Sequence, residues 1–195
     1  GWVVDAILPH LDLTTRDGSP CRVLDPCVGE GAILDRVLAH TWDFQQPYAY
    51  LGIEIDPVRA QVAWQRFPST VVADALAIDW PPHDVAIFNP PFSLAEDFAR
   101  KALEARTPQG TVAMLARLAF LESVERYDFH QEYPMDVHVL PKRPGFLSGS
   151  GKTDMSAYAW FVAGPGRGNR WFVLEPPAEA LEKARKKRAK NGGGA

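Results

Sequence analysis

Short apolar runs alternate with amphipathic stretches through about residue 130, and this alternation restricts the fold more than any other feature. Arg22-Val23-Leu24, Tyr48 to Ile55, Thr70 to Ala73, Val85 to Phe88 and Thr111 to Leu115 each read as a strand. Helical patterns separate most of them: Ala32 to about Ala39, Pro57 to about Phe67, and Ser93 to about Ala105. Ser93 with Glu96 three residues later has the form of a capping box. Strands joined through helices lie parallel, because a parallel connection needs a crossover of a dozen or more residues. The expected class is therefore α/β, with a Rossmann-like, mainly parallel sheet and helices on both faces. Asp136 to Leu140 and Ala157 to Val162 supply the sixth and seventh strands, and Arg170 to Leu174 is a candidate further edge strand. Trp2 to Leu11 has a helical rhythm in Val3, Val4, Ile7, Leu8 and Leu11 and should pack on the sheet.

In an open α/β sheet, ligands bind beyond the carboxyl ends of the strands. The residues that fall there carry the chemistry. Val85-Ala86-Ile87-Phe88 runs into Asn89-Pro90-Pro91-Phe92. Two consecutive prolines remove two donors and fix two φ angles, so the strand stops and Asn89 sits in a rigid loop at its end. A planar amine could donate to the Asn89 side-chain oxygen and the Pro90 carbonyl while Phe92 stacks on the attached ring. The first strand ends in Asp25-Pro26-Cys27-Val28-Gly29-Glu30-Gly31, and a helix begins just after. Gly29 and Gly31 permit a tight turn and a close approach of backbone to ligand. The spacing is not Gly-x-Gly-x-x-Gly and no Lys-Ser or Lys-Thr follows, so a phosphate cradle is not indicated. Glu54 closes the second strand, about 25 residues past the glycine loop, where an acid can accept from ribose hydroxyls. Asp56, followed by Pro57, reads as a helix N-cap. Asp74-Ala75 ends the third strand, with turn capping as the plainer role for Asp74.

These motifs together resemble the S-adenosylmethionine-dependent amino-methyltransferases, chiefly those acting on adenine N6, over roughly residues 1 to 175. Asn89-Pro90-Pro91-Phe92 is similar to their motif IV, and Asp25-Pro26 with Gly29 and Gly31 to their motif I. The resemblance implies a seven-stranded sheet whose seventh strand is antiparallel. It implies S-adenosylmethionine as cofactor, with Asp25 near the methionine amino group, Gly29 and Gly31 near its carboxylate, Ile55 against the adenine and Asp74 accepting from the adenine amino group. Pro26, Cys27, Ala75 and Asn89 would complete the cofactor site. Asn89, Pro90, Pro91 and Phe92 would be catalytic. The implied activity is adenine-N6 methylation of DNA. RNA adenine methylation and protein glutamine methylation use the same amide geometry, and a nucleic-acid-binding partner subunit is the non-enzymatic alternative. Phe92, where the glutamine enzymes more often have Tyr, counts against that class.

Only about 64 residues separate Asp25 from Asn89, leaving no room between them for a separate recognition domain. Recognition would fall to the 141–154 loop or to a partner subunit. That loop is glycine-rich, and Lys142, Arg143 and Lys152 with Phe146 suit contact with a nucleic-acid backbone and a stacked base. Gly151-Lys152-Thr153 is not a P-loop, because Phe146 stands where the pattern needs glycine and a strand follows. Charge is divided: residues 1–97 hold 5 Lys and Arg against 14 Asp and Glu, net −9, whereas residues 98–195 hold 16 against 10, net +6. The second half is the side expected to face a polyanion, although Lys183 to Lys190, in a basic helical tail after residue 175, supplies six of those cations. The length of 195 residues suits one domain with a sizeable core. No run approaches a membrane span and no secretory pattern is present, so a cytoplasmic protein is expected. The first residue is Gly1 rather than Met, which suggests a trimmed chain or an omitted N-terminal segment. Cys21 and Cys27 lack the spacing of a zinc pair and read as buried free thiols; no metal site is expected.

Overall fold

The computed structural model describes residues 1–15, 17–44, 46–142, 144 and 156–192. Its strands are β1 (Cys21–Asp25), β2 (Tyr48–Glu54), β3 (Val71–Val72), β4 (His83–Phe88), β5 (Arg106–Arg117), β6 (Asp136–Val139), β7 (Tyr158–Ala163) and β8 (Trp171–Val173). They form one sheet in the order β3-β2-β1-β4-β5-β7-β6-β8. β7 runs antiparallel to both β5 and β6, and every other pairing is parallel. The expected count of seven is thus corrected to eight. Trp171–Val173 pairs with β6 through the register Val137 to Trp171 and becomes the edge of the sheet.

The helices are α1 (Trp2–Asp5), α2 (Ala32–Thr41), α3 (Pro57–Trp64), α4 (Ala95–Ala105), α5 (Tyr127–Glu132) and α6 (Ala178–Gly192). Two apolar cores lie on the two faces of the sheet, and the strand pleat sorts residues between them. Val85 and Ile87 join Val3, Leu34, Val37 and Ala63 on the face of α1, α2 and α3. Ala86 and Phe88 join Phe98, Ala99, Ala102 and Phe129 on the face of α4 and α5. Burial on both faces is why the central strands read as unbroken apolar runs.

Two local expectations are corrected. The rhythm from Trp2 to Leu11 is not one helix: α1 is followed by a 3-10 turn over Leu8–His10, because Pro9 has no N–H to extend an α-helix. All five of its apolar residues are nevertheless buried. Ser93 does not cap α4 either. Phe92–Leu94 forms a 3-10 turn, Leu94 takes the cap position, and Glu96 reaches forward to Arg100 at 3.0 Å. Among the described residues, no helix is long and apolar enough to cross a membrane.

Candidate active site

Four strand ends meet at one edge of the sheet: Asp25 of β1, Glu54 of β2, Asn89 just past β4, and Arg117 of β5. The parallel register puts Asp25 level with Gly52 and Phe88 level with Met114, so the loops beyond them face a common space. That space is a cleft of about 750 Å³, within the roughly 300–1,000 Å³ of small-molecule sites. Pro26, Cys27, Glu54, Ile55, Asp74 and Ala75 line it, opposite Asn89, Pro90, Pro91 and Phe92.

The glycine loop is built as its residues require. Gly29 and Gly31 have φ of 56° and 92°, in the left-handed region where a side chain is strained. Gly31 caps α2, and a Cβ there would come within 3.2 Å of the Phe67 ring. Neither glycine lines the cleft directly; their neighbours Val28, Glu30 and Ala32 do. Glu54 holds the loop from the side. Its Oε2 accepts from the Gly29 amide at 2.8 Å and its Oε1 from the Asp56 amide at 3.0 Å. Each oxygen keeps a further lone pair, so the carboxylate can brace the loop and still accept from a ligand hydroxyl. Asp56 caps α3, accepting from the Val58 and Arg59 amides. Asp74 accepts from the Leu76 amide at 2.9 Å, which is the turn-capping role, and also borders the cleft.

Asp25 is fully buried behind Pro26 and Cys27 rather than in the cleft wall. Its Oδ1 accepts from the Cys27 amide at 3.0 Å, while Oδ2 has no partner among the described residues. Burial pushes this carboxyl up to about 7; the Cys27 amide opposes the rise, and the nearby charge of Glu54 adds to it. Cys27 is half-buried, not buried as expected, and burial followed by the charges of Asp25 and Glu54 pushes its thiol far up. Burial likewise raises Cys21 to about 12. Neither thiol is a ready nucleophile. Among the described residues no group of His, Cys, Asp and Glu could hold a metal ion.

On the opposite wall, the Asn89 Oδ1 is buried and has no partner among the described residues. Such an acceptor is costly unless a ligand satisfies it. Phe92 is half-buried; its ring lies 5.6 Å from that of Tyr158, and the Arg117 guanidinium sits 4.7 Å over it. Ile55 lines the cleft yet is 67% exposed, a flat apolar surface with no protein covering it. Sequence reasoning missed Val4, Arg59, Leu115 and Tyr158, which also border the cleft. Arg59 had one legible signal, its place in the first turn after the Asp56 cap. A Cβ on Gly29 would fall 2.4 Å from its Nη2, so the guanidinium covers the glycine loop. Lys142 is exposed just beyond β6, whereas Arg143, Phe146 and Lys152 lie outside the described residues.

The chain shares its fold with solved structures of S-adenosylmethionine-dependent and other methyltransferases. The chain matches a proposed class I S-adenosylmethionine-dependent methyltransferase from Listeria monocytogenes with a TM-score of 0.67 and 13% identity, over 97% of this chain and 68% of that one. It matches the methyltransferase subunit of a Streptococcus thermophilus type I restriction-modification system with a TM-score of 0.63 and 16% identity, over 93% and 49% of the two chains. A proposed RNA methyltransferase from Pyrococcus horikoshii gives a TM-score of 0.55 and 18% identity, with 76% of each chain covered. No protein-family profile and no curated protein matches the sequence.

Proposed function

We propose that this chain transfers a methyl group from S-adenosylmethionine to the N6 amino group of adenine in DNA. The observation that carries the reading is the buried, unpartnered Oδ1 of Asn89, a residue that lines the same cleft as Glu54, Asp74 and the exposed Ile55 of the opposite wall. The residues there fit the cofactor. Glu54 would accept from the ribose hydroxyls, Ile55 would lie against the adenine and Asp74 would accept from its amino group, while the buried Asp25 would act on the methionine end only through the Pro26-Cys27 turn that it braces. Cysteine or serine nucleophiles have no part in this scheme.

The bound cofactor supplies an electrophilic methyl group on a sulfonium. An adenine amino group is a weak nucleophile, because its lone pair is delocalised into the ring. As it attacks, that nitrogen becomes pyramidal and gains positive charge, and its two hydrogens need acceptors. The Asn89 Oδ1 and the Pro90 carbonyl would accept hydrogen bonds from them, stabilising the developing charge and aligning the nitrogen; the N–CH3 bond would form as the S–CH3 bond breaks, leaving a neutral thioether, and the surplus proton on nitrogen would then pass to water. Pro90 and Pro91 hold that pair of acceptors without rearrangement. Phe92 would stack on the base. A base inside a duplex cannot reach the cleft, so it enters flipped or from a single strand.

Restriction-modification and RNA methyltransferase chains share the fold, so the polymer is decided by experiment. The protein is incubated with methyl-labelled cofactor and adenine-containing DNA, RNA of the same sequence, or a glutamine peptide. Label on DNA at adenine N6 is the result expected. Label on RNA alone, or on glutamine, overturns the assignment in favour of that substrate.

A further inference from the structure

Of the described residues that line the cleft, four are charged: Glu30, Glu54, Asp74 and Arg59. Arg59 is the cation among three acids. Two of those acids spend oxygens on backbone amides, Glu54 on Gly29 and Asp56, Asp74 on Leu76. Glu30 is exposed. Arg59 is fixed at its backbone, in the first turn of α3, where its amide donates to the Asp56 Oδ1 at 3.4 Å. Its guanidinium lies over Gly29, where any Cβ would collide with it. It makes no hydrogen bond or ion pair with a described residue. Arg66, just past α3, is committed elsewhere: it pairs with Asp35 of α2 at 2.7 Å and donates to the Glu30 carbonyl at 3.3 Å.

S-adenosylmethionine carries two cations, a sulfonium and an ammonium, and one anion, a carboxylate. The acids of the cleft suit the cations. A carboxylate placed among Glu30, Glu54 and Asp74 meets like charge unless a cation accompanies it. Arg59 is the lining residue that offers one. Its planar fork matches both oxygens of a carboxylate, which a Lys ammonium cannot do. Gly29 joins the two halves of the arrangement: Glu54 bonds to its amide and Arg59 covers its Cα. With the ribose on Glu54, the carboxylate hangs from that sugar by a short flexible tail, and the long Arg59 side chain stands beside it.

We propose that Arg59 binds the carboxylate of the cofactor and makes the cleft prefer a nucleoside with an amino-acid tail over one with an amine tail. The proposal rests on the cofactor reading above and is independent of the methyl acceptor. It also gives Gly29 a second reason to be glycine, since a side chain there would displace the guanidinium.

Calorimetry without nucleic acid compares S-adenosylmethionine with decarboxylated S-adenosylmethionine, which keeps the ribose, sulfonium and amine and lacks the carboxylate. Wild type should bind the complete cofactor at least about tenfold more tightly than the analogue. Arg59→Gln should erase that preference, weakening the complete cofactor about tenfold and leaving the analogue no weaker. Arg59→Lys keeps the charge without the fork and should fall between the two. A far-UV spectrum and melting temperature matching wild type certify the fold of each variant. If wild type binds both compounds equally, or Arg59→Gln weakens both by the same factor, Arg59 is not the carboxylate's ligand although the cofactor reading stands. If wild type binds neither, the cofactor reading fails and takes this inference with it.

Discussion

Glu54 and Asp25 both brace the loop that follows β1, Glu54 through the Gly29 amide and Asp25 through the Cys27 amide. Glu54 spends one oxygen on the Gly29 amide and the other on the Asp56 amide. Glu54→Ala therefore removes a loop brace and, on the proposed reading, the ribose acceptor. Each charge-assisted bond is worth roughly 1.5–3 kcal/mol, so calorimetry should find cofactor affinity at least about tenfold weaker. Unchanged affinity in a folded variant would remove Glu54 from the cofactor site. Asp25 is raised from 3.8 to about 7 by burial. The folded chain then holds a proton that the unfolded chain releases, so this group lowers stability as pH rises from about 4 to about 7. Asp25→Asn should remove that component in denaturation measured across the window. A stability profile left unchanged by Asp25→Asn between about pH 4 and about pH 7 would contradict the raised carboxyl. Both acids were legible from their places at strand ends. Arg59 and Arg117 were not assigned from sequence: each meets its aromatic or glycine partner only after helix packing or strand pairing brings distant residues together.

β6 and β8 form the side of the sheet farthest from the glycine loop, and β6 contains two unlike titrating groups. Asp136 is buried, which would raise its pKa, but bonds from Arg170 and the Gly168 amide outweigh burial and hold it down at about 2. Its contribution to stability is present above about 4 and is lost as pH falls towards 2. His138 is buried between His10 and Phe172, with ring centroids at 5.0 and 4.7 Å, and neither ring nitrogen has a partner among the described residues. Burial first, then the charges of His10 and Arg167, lower it to about 4, with Arg170 adding to the fall and Asp136 opposing it. A neutral folded histidine that charges on unfolding makes the protein lose stability as pH falls from about 6.5 to about 4. His138→Phe keeps the stack and should abolish that loss; an unchanged acid limb would show that the ring titrates freely. The elements were mostly readable because two-sided burial leaves continuous apolar runs. Their ends were less so. Ser93 and Glu96 fit a capping box by spacing, but the Pro90-Pro91 bend leads into a 3-10 turn that delays α4 to Ala95. Trp171–Val173 is a short, exposed edge strand whose pairing depends on β6, so its own sequence marks it weakly.

At the scale of the whole molecule, every strand-end motif named from sequence falls on one edge of one sheet, between cores that fix each strand on both faces. The cleft and a smaller cavity meet at Phe92, with Glu30, Glu54 and Asp74 bordering the first and Arg117 and Arg126 the second. The motifs were readable because a strand's C-terminal end is a local feature; the junction of the two cavities was not, because it exists only once β4 and β5 are paired. The central claim is that Asn89 acts on the acceptor amine and not on the cofactor. Its most direct test compares wild type with Asn89→Ala, measuring cofactor affinity by calorimetry and methyl transfer to an adenine-containing strand by label. The account predicts nearly unchanged affinity and a transfer rate lower by about 10²–10³. A variant that turns over within a few-fold of wild type would contradict it.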